Sequence, residues 1–293
     1  MTDMVLSPAT RASRILTATV SAAALLAPLS SCSSTSGGQD SATSDAAETA
    51  RVASEEAQTH TASPERLGVT VLETTPLLPD TFTQGLEVDD EGNLLIGTGL
   101  YGESRLLRVR PGSLTPLQDV ALESSFFGEG IAQSSAGIWQ LTWKSGTAIL
   151  RDPATFNELN RVNYDGEGWG LCNTGDELIM SDGSSQLRHL DPETFEELGP
   201  RTDVTLDGSP VDYLNELECV DDQVYANVWM SEDILRIDPS SGVVTAVIDT
   251  TNLQHRPYED PNAVLNGIAH IPGTDELWIT GKLWDDLYRV RFE

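Results

Sequence analysis

From about residue 80 to the end, short apolar runs alternate with polar turns rich in Gly, Asn and Asp, which is hairpin patterning. Gly85-Leu86-Glu87-Val88 leads through Asp89-Asp90-Glu91-Gly92-Asn93 into Leu94-Leu95-Ile96, and Gly170-Leu171-Cys172 leads through Asn173-Thr174-Gly175-Asp176 into Glu177-Leu178-Ile179-Met180. Third strands are expected at 106–109, 148–150, 186–190, 234–237 and 287–290. Three of them end in an Asp-Pro turn, at Asp152-Pro153, Asp191-Pro192 and Asp238-Pro239. Fourth strands follow at 160–163 and 243–248.

The units are in register. Each first strand is opened by a triplet: Gln84-Gly85-Leu86, Glu129-Gly130-Ile131, Trp169-Gly170-Leu171, Asn215-Glu216-Leu217 and Asn266-Gly267-Ile268, at spacings of 45, 40, 46 and 51 residues. Five repeats of four antiparallel strands predict an all-β fold, a five-bladed β-propeller. The last unit stops after its third strand at Glu293, and an unassigned strand at 69–74 supplies the fourth and closes the ring.

In that fold the first strand lines the channel and the second returns to the mouth where the first began. One rim therefore gathers Gln84, Glu129, Trp169, Asn215 and Asn266 with Trp143, Asp182, Trp229 and Lys282. Phe82 and Phe127, each two residues before a triplet, approach the same mouth. Trp139 and Trp278 alternate with apolar neighbours and read as core, Trp284 reads either way, and Trp143, Trp169 and Trp229 read as an aromatic box around a small ligand. Glu129, between two glycines, is in isolation an ordinary turn acid. Among Trp rings its pKa is expected to rise, which suits a group that takes and returns a proton. Lys282 is either a solvated rim charge or a partner for Glu129 or a carbonyl. The amides of Gln84, Asn215 and Asn266 suit recognition of another amide or satisfy channel backbone. No role is assigned to Asn266.

The ends of the chain and its charge narrow the setting. Arg11 and Arg14 precede an apolar stretch, Ile15 to Leu29, too short to span a bilayer and suited to an export signal. Its Leu-Ser-Ser-Cys ending resembles a bacterial lipoprotein signal in which Cys32 takes the lipid; the alternative is an ordinary cleaved signal with Cys32 incidental. Residues 1–31 are thus the signal and 32–66 a polar, flexible tether, leaving 67–293 as the propeller. The expected location is the outer face of a bacterial cell membrane, held only by acyl chains. A net charge of −29 leaves no basic face for nucleic acid and disfavours anionic head groups. Cys172 and Cys219 occupy nearly equivalent places in consecutive units, either bonded to each other or as two buried thiols. His60, His189, His255 and His270 have no metal-ligand spacing, and no Gly-x-Ser-x-Gly, phosphate loop or His-Glu-x-x-His occurs. Nothing indicates an oligomer, so a monomer is expected.

Nine strings, in order and in every unit, carry a resemblance: Phe82-Thr83-Gln84-Gly85-Leu86, Phe127-Gly128-Glu129-Gly130, Leu141-Thr142-Trp143-Lys144, Glu167-Gly168-Trp169-Gly170-Leu171, Ser181-Asp182-Gly183-Ser184, Leu214-Asn215-Glu216-Leu217-Glu218, Ala226-Asn227-Val228-Trp229, Leu265-Asn266-Gly267-Ile268-Ala269 and Thr280-Gly281-Lys282-Leu283-Trp284. From about residue 67 to the end the chain resembles the plant and bacterial type of glutaminyl-peptide cyclotransferase, a five-bladed propeller. The resemblance implies conversion of the N-terminal glutaminyl residue of peptides or proteins to pyroglutamate with release of ammonia. It also implies Glu129 as the proton-transferring acid and a site lined by Phe82, Gln84, Phe127, Trp143, Trp169, Asn215, Trp229 and Lys282. No catalytic metal or other cofactor is implied, and a structural calcium in the channel is not derivable from these residues. Two rivals are a calcium-dependent lactonase-type propeller, using oxygens of Glu129, Asn215, Asn266 and Asp182, and a non-catalytic binding propeller at the cell surface.

Overall fold

The structure, a computed structural model, describes residues 63–253 and 260–293. The expected signal segment with Cys32, and all of the expected tether before residue 63, lie outside the described residues. Two strands come first, β1 (Glu65–Leu67) and β2 (Val69–Pro76). Blade 1 is β3 (Thr83–Val88), β4 (Leu94–Thr98), β5 (Arg105–Val109) and β6 (Gln118–Ala121). Blade 2 is β7 (Gly128–Ser134), β8 (Gly137–Thr142), β9 (Thr147–Arg151) and β10 (Glu158–Asn163). Blade 3 is β11 (Leu171–Asn173), β12 (Leu178–Ser181), β13 (Gln186–Leu190) and β14 (Thr202–Asp203), followed by a small hairpin of β15 (Thr205–Leu206) and β16 (Ser209–Pro210). Blade 4 is β17 (Leu214–Val220), β18 (Gln223–Val228), β19 (Asp233–Ile237) and β20 (Val244–Asp249), and blade 5 is β21 (Leu265–His270), β22 (Leu277–Gly281) and β23 (Asp286–Phe292). Among the strands just assigned to blades 1–5 the pairing is antiparallel.

The ring closes as the strand count requires. β2 pairs antiparallel with β23, from Val69 opposite Phe292 to Pro76 opposite Asp286, and completes blade 5. One feature differs from expectation: Glu65 and Arg66, placed in the tether by composition, belong to β1. This strand pairs parallel with β20 and gives blade 4 a fifth strand. The open edge of β20 offers unsatisfied backbone groups, which even a polar segment can fill, and Glu65 adds a 2.7 Å ion pair to Arg236. The propeller therefore starts two residues before position 67.

Sequence chemistry explains the joints. In the Asp-Pro turns, Asp152 and Asp191 accept the backbone N–H of Thr155 and Thr194 at 2.8 Å, and Asp238 accepts that of Ser240 at 2.9 Å. The side-chain hydroxyls of Thr155 and Ser240, together with these backbone bonds, favour the charged form at Asp152 and Asp238, and the backbone bonds lead at Asp191, so all three carboxyls lie below the ordinary range. Apolar faces of successive blades interdigitate into clusters such as Trp139, Leu141, Leu171 and Met180 between blades 2 and 3. Cys172 in β11 and Cys219 in β17 are bonded, with S–S 1.99 Å and Cα–Cα 5.4 Å. In the chain-entropy picture a cross-link over 47 residues stabilises by about 4 kcal/mol.

The small second residue of the triplets follows from the crowding of the inner strands. A Cβ on Gly130 would stand 2.7 Å from the Leu171 nitrogen, and one on Gly170 would stand 2.1 Å from the Asn215 carbonyl oxygen. Blade 4 has Glu216 there instead, fully buried. Its two oxygens accept the N–H groups of Leu86 (3.2 Å) and Ile268 (2.9 Å), tying blade 4 to the inner strands of blades 1 and 5.

Candidate active site

The residue that opens each triplet reaches the mouth through a backbone device. The register between the first and second strands shifts at Thr83/Gly85, Gly128/Ile131, Leu214/Leu217 and Leu265/Ile268, so four inner strands bulge at the triplet. A bulge re-aims the side chain at the strand's start. Here it turns Gln84, Glu129, Asn215 and Asn266 inward. In blade 3, β11 starts only at Leu171, and Trp169 is fixed by its N–H to the Ser181 carbonyl at 3.0 Å.

A cavity of about 730 Å3 opens at this mouth. Phe82, Gln84, Phe127, Glu129, Trp143, Trp169, Asn215, Trp229 and Lys282 all line it. Asn266 lies beneath, buried behind Gln84. Asp182 is not part of the lining: its oxygens accept from Ser184 and pair with Arg201 at 3.3 Å. Gly183 beside it leaves room for the Trp169 ring, since a Cβ there would lie 2.6 Å from that ring. Trp139 and Trp278 are core, and Trp284 joins them, buried with its indole N–H bonded to the Ala263 carbonyl at 3.2 Å.

The walls are two aromatic arcs. Phe82, Phe127 and Trp143 follow one another at centroid distances of 6.1 and 5.5 Å, and Trp169, Trp229 and Tyr213 at 5.9 and 5.8 Å. Glu167 joins them: its Oε2 accepts both indole N–H groups, from Trp143 at 2.6 Å and from Trp169 at 3.0 Å. Lys144 stands 3.6 Å from the other oxygen and 4.0 Å from the centroid of the Trp143 ring. Sequence reasoning left out Glu167 and Tyr213. A signal was present, because both lie two residues before a triplet, as Phe82 and Phe127 do.

Four buried polar residues, Glu129, Lys282, Asn215 and Gln84, are part of the lining. Glu129 is 4 % exposed, and its Oε1 accepts the Gln84 Nε2–H at 3.1 Å. Burial raises its pKa well above the ordinary carboxyl value; Lys282 opposes that rise and Glu167 adds to it. Lys282 is 6 % exposed, with Nζ 5.3 Å from the centroid of the Phe82 ring. Burial lowers its pKa and Glu129 partly restores it. Asn215 is buried, and its Nδ2 has no hydrogen-bond partner among the described residues. Gln84 is different, because both ends of its amide are engaged: Nε2 donates to Glu129 and Oε1 accepts from Asn266 Nδ2 at 3.2 Å. Among the described residues, no three His, Cys, Asp or Glu side chains are grouped as metal ligands.

Such a site can take a small, partly apolar ligand and sets beside it a buried carboxyl at Glu129, a buried ammonium at Lys282 and the amides of Gln84 and Asn215. Comparison with known proteins gives the family. A family model described as glutamine cyclotransferase matches residues 44–292. The glutaminyl-peptide cyclotransferase of Arabidopsis thaliana is 35% identical over 225 residues, which is 73% of this chain and 68% of that protein. The crystal structure of Myxococcus xanthus glutaminyl cyclase matches with a TM-score of 0.73 at 35% identity, over 79% of this chain and 99% of that one.

Proposed function

The chain belongs to the glutamine cyclotransferase family, and from that premise we propose that it closes the N-terminal glutaminyl residue of peptides to pyroglutamate with release of ammonia, using Glu129 to move the proton. Its enzyme class is glutaminyl-peptide cyclotransferase. The observation that carries the finer reading is the buried carboxyl of raised pKa on the floor of an aromatic cavity.

The reaction is an intramolecular acyl transfer. The substrate's α-amine nitrogen bonds to its own side-chain amide carbon, the amide oxygen takes up negative charge, and the carbon–nitrogen bond to the leaving group then breaks. One proton leaves the attacking nitrogen and one reaches the departing nitrogen, so a single carboxylate that accepts and returns it balances the reaction. Glu129 suits both halves because its raised pKa brings the two protonation states closer in energy. Holding the glutaminyl side chain curled against the aromatic belt supplies orientation, a large part of catalysis for a ring closure. Asn215 Nδ2 and Lys282 Nζ are the donors for the developing oxygen charge. The belt also keeps water from diverting the amide to hydrolysis.

Glu129→Gln tests this. The amide keeps the shape and an oxygen for Gln84 but cannot exchange a proton. The expected result is a native melting curve with ammonia release from a Gln-initiated dipeptide reduced about 10²–10⁴-fold. A variant within a few-fold of the parent would sink the assignment.

We also propose that the enzyme is exported and held to the outer face of the cell membrane through Cys32. This rests on Arg11, Arg14 and the apolar run ending in Leu-Ser-Ser-Cys.

A further inference from the structure

Asn266 opens the fifth triplet and does not touch the cavity, yet it is fully buried and its bulge turns it toward blade 1. Its Nδ2 donates twice, to the Thr83 carbonyl at 3.0 Å and to Gln84 Oε1 at 3.2 Å. The second bond has a chemical consequence. An amide presents an acceptor at one end and a donor at the other. With its oxygen held by Asn266, Gln84 can present only N–H to Glu129, and it does so to Oε1 at 3.1 Å. No described residue bonds Oε2. A carboxyl oxygen that accepts a buried hydrogen bond is a poor place for a proton, so the proton is directed to the other oxygen.

We propose that Asn266 is a positioning residue for the proton transfer: acting through the Gln84 amide, it commits Glu129 Oε1 to accepting and makes Oε2 the oxygen that carries the proton to and from substrate. This rests on Glu129 being the acid–base group. Without Asn266 the Gln84 amide is free to rotate end for end. In the rotated state two acceptors face each other unless Glu129 holds a proton on Oε1, the wrong oxygen. Catalysis then has to wait for the correct rotamer, a loss felt in kcat rather than in substrate binding.

The rival explanation is a blade staple, since the bond to Thr83 joins blade 5 to blade 1. Such a staple would move the melting temperature alone. Four variants separate the two: Asn266→Ala, Asn266→Ser, Gln84→Leu and the double Asn266→Ala/Gln84→Leu. Serine retains a hydroxyl donor for the Thr83 carbonyl while falling short of Gln84, which keeps the test open if the alanine variant folds poorly. The charged groups that bear on Glu129, Lys282 and Glu167, and the nearby Tyr164 phenol, are untouched in all four. The readouts are kcat, KM and the acid limb of kcat/KM against pH, which reports the free enzyme's essential base.

Expected are a roughly tenfold or greater fall in kcat with KM within about threefold for both Asn266 variants. Their acid limb moves to higher pH, because the ionised form of Glu129 has lost a secured donor. The double variant should be no slower than Gln84→Leu alone, since the two residues act in series. An unshifted acid limb, or kcat losses that multiply in the double variant, would overturn the proposal. Glu129→Gln run beside them keeps the two ideas apart: activity in that variant removes the acid–base reading, whereas inactivity there with multiplying Asn266 and Gln84 losses removes only the positioning role.

Discussion

Glu167 is the place where a small change tests how the aromatic cavity is held. One oxygen of its carboxylate takes both indole N–H groups, and that oxygen is what links the two arcs into one belt. Glu167→Ala removes two charge-assisted bonds. Bonds of that kind are worth roughly 1.5–3 kcal/mol each when buried, but the Glu167 side chain is 37 % exposed and the freed indoles reach water, so about 1–2 kcal/mol in total is reasonable. That energy orders the wall against ground state and transition state alike, so it should appear as a KM raised about five- to thirty-fold with kcat nearly retained. Glu167→Gln offers the control. Its amide oxygen can take both N–H groups, so KM should stay within about threefold. Its missing charge should act on Glu129 instead: Glu167 helps to raise that carboxyl, so the acid limb of kcat/KM moves to lower pH. Steady-state kinetics on a Gln-initiated dipeptide across pH reads all of this. An alanine variant with parental KM would mean that ring packing alone holds the belt, and the reasoning would fail.

Two further outcomes can be checked on other parts of the molecule. In the channel, burial pushes Glu87 up to about 7 and Glu218 well above the ordinary value, with the charge of Glu87 adding to the rise at Glu218. A carboxyl with a raised folded-state pKa favours the fold while protonated; that contribution is complete below about pH 4.3 and is lost as pH climbs through the raised value. Glu218→Gln keeps an acceptor for the His270 N–H, now 2.8 Å away, and cannot ionise, so its Tm relative to the parent should rise between pH 5 and pH 8, by about 2–4 °C for each kcal/mol relieved; a pH-independent difference would contradict this. At the other end of the chain, Cys32→Ala should abolish fatty-acid labelling and release the enzyme from the membrane fraction, and continued labelling would end the anchoring proposal.

What the sequence made legible is what it encodes locally. Hairpin turns, the Asp-Pro motifs and the triplets are all short-range, and the number of strands forced the closure by the segment from Val69 to Pro76. What it hid depends on contacts made only when the ring closes. β1 is three residues with no apolar alternation, and it exists because β20 has an open edge. The partner of Asn266 lies 182 residues away in sequence. Asp182 ends a second strand and so reads as a rim residue, but the turn that receives the Trp169 ring uses its carboxylate for Ser184 and Arg201. Glu167 was hidden by residue type, whereas Tyr213, a ring at the same offset from its triplet, was simply passed over. The position two before the triplet reads Phe82, Phe127, Glu167, Tyr213 and Val264, and the first four line the cavity; a search for rings overlooks the carboxylate that holds rings together.

The residues that open the triplets differ in how their side chains are engaged. Resemblance places Gln84, Asn215 and Lys282 together as cavity-lining residues, and three amide or amine groups around one substrate amide is an attractive arrangement. Gln84 gives one N–H to Glu129 and one oxygen lone pair to Asn266, which fixes the direction of its amide and leaves one N–H and one lone pair for a ligand. Asn215 has the opposite profile, buried in the lining with its Nδ2 unengaged. A buried donor without a partner costs about 1–3 kcal/mol, a cost that a bound substrate oxygen would remove. On the proposed mechanism Asn215 and Lys282 are the donors for the glutaminyl amide oxygen, and Gln84 lines the same cavity while holding Glu129.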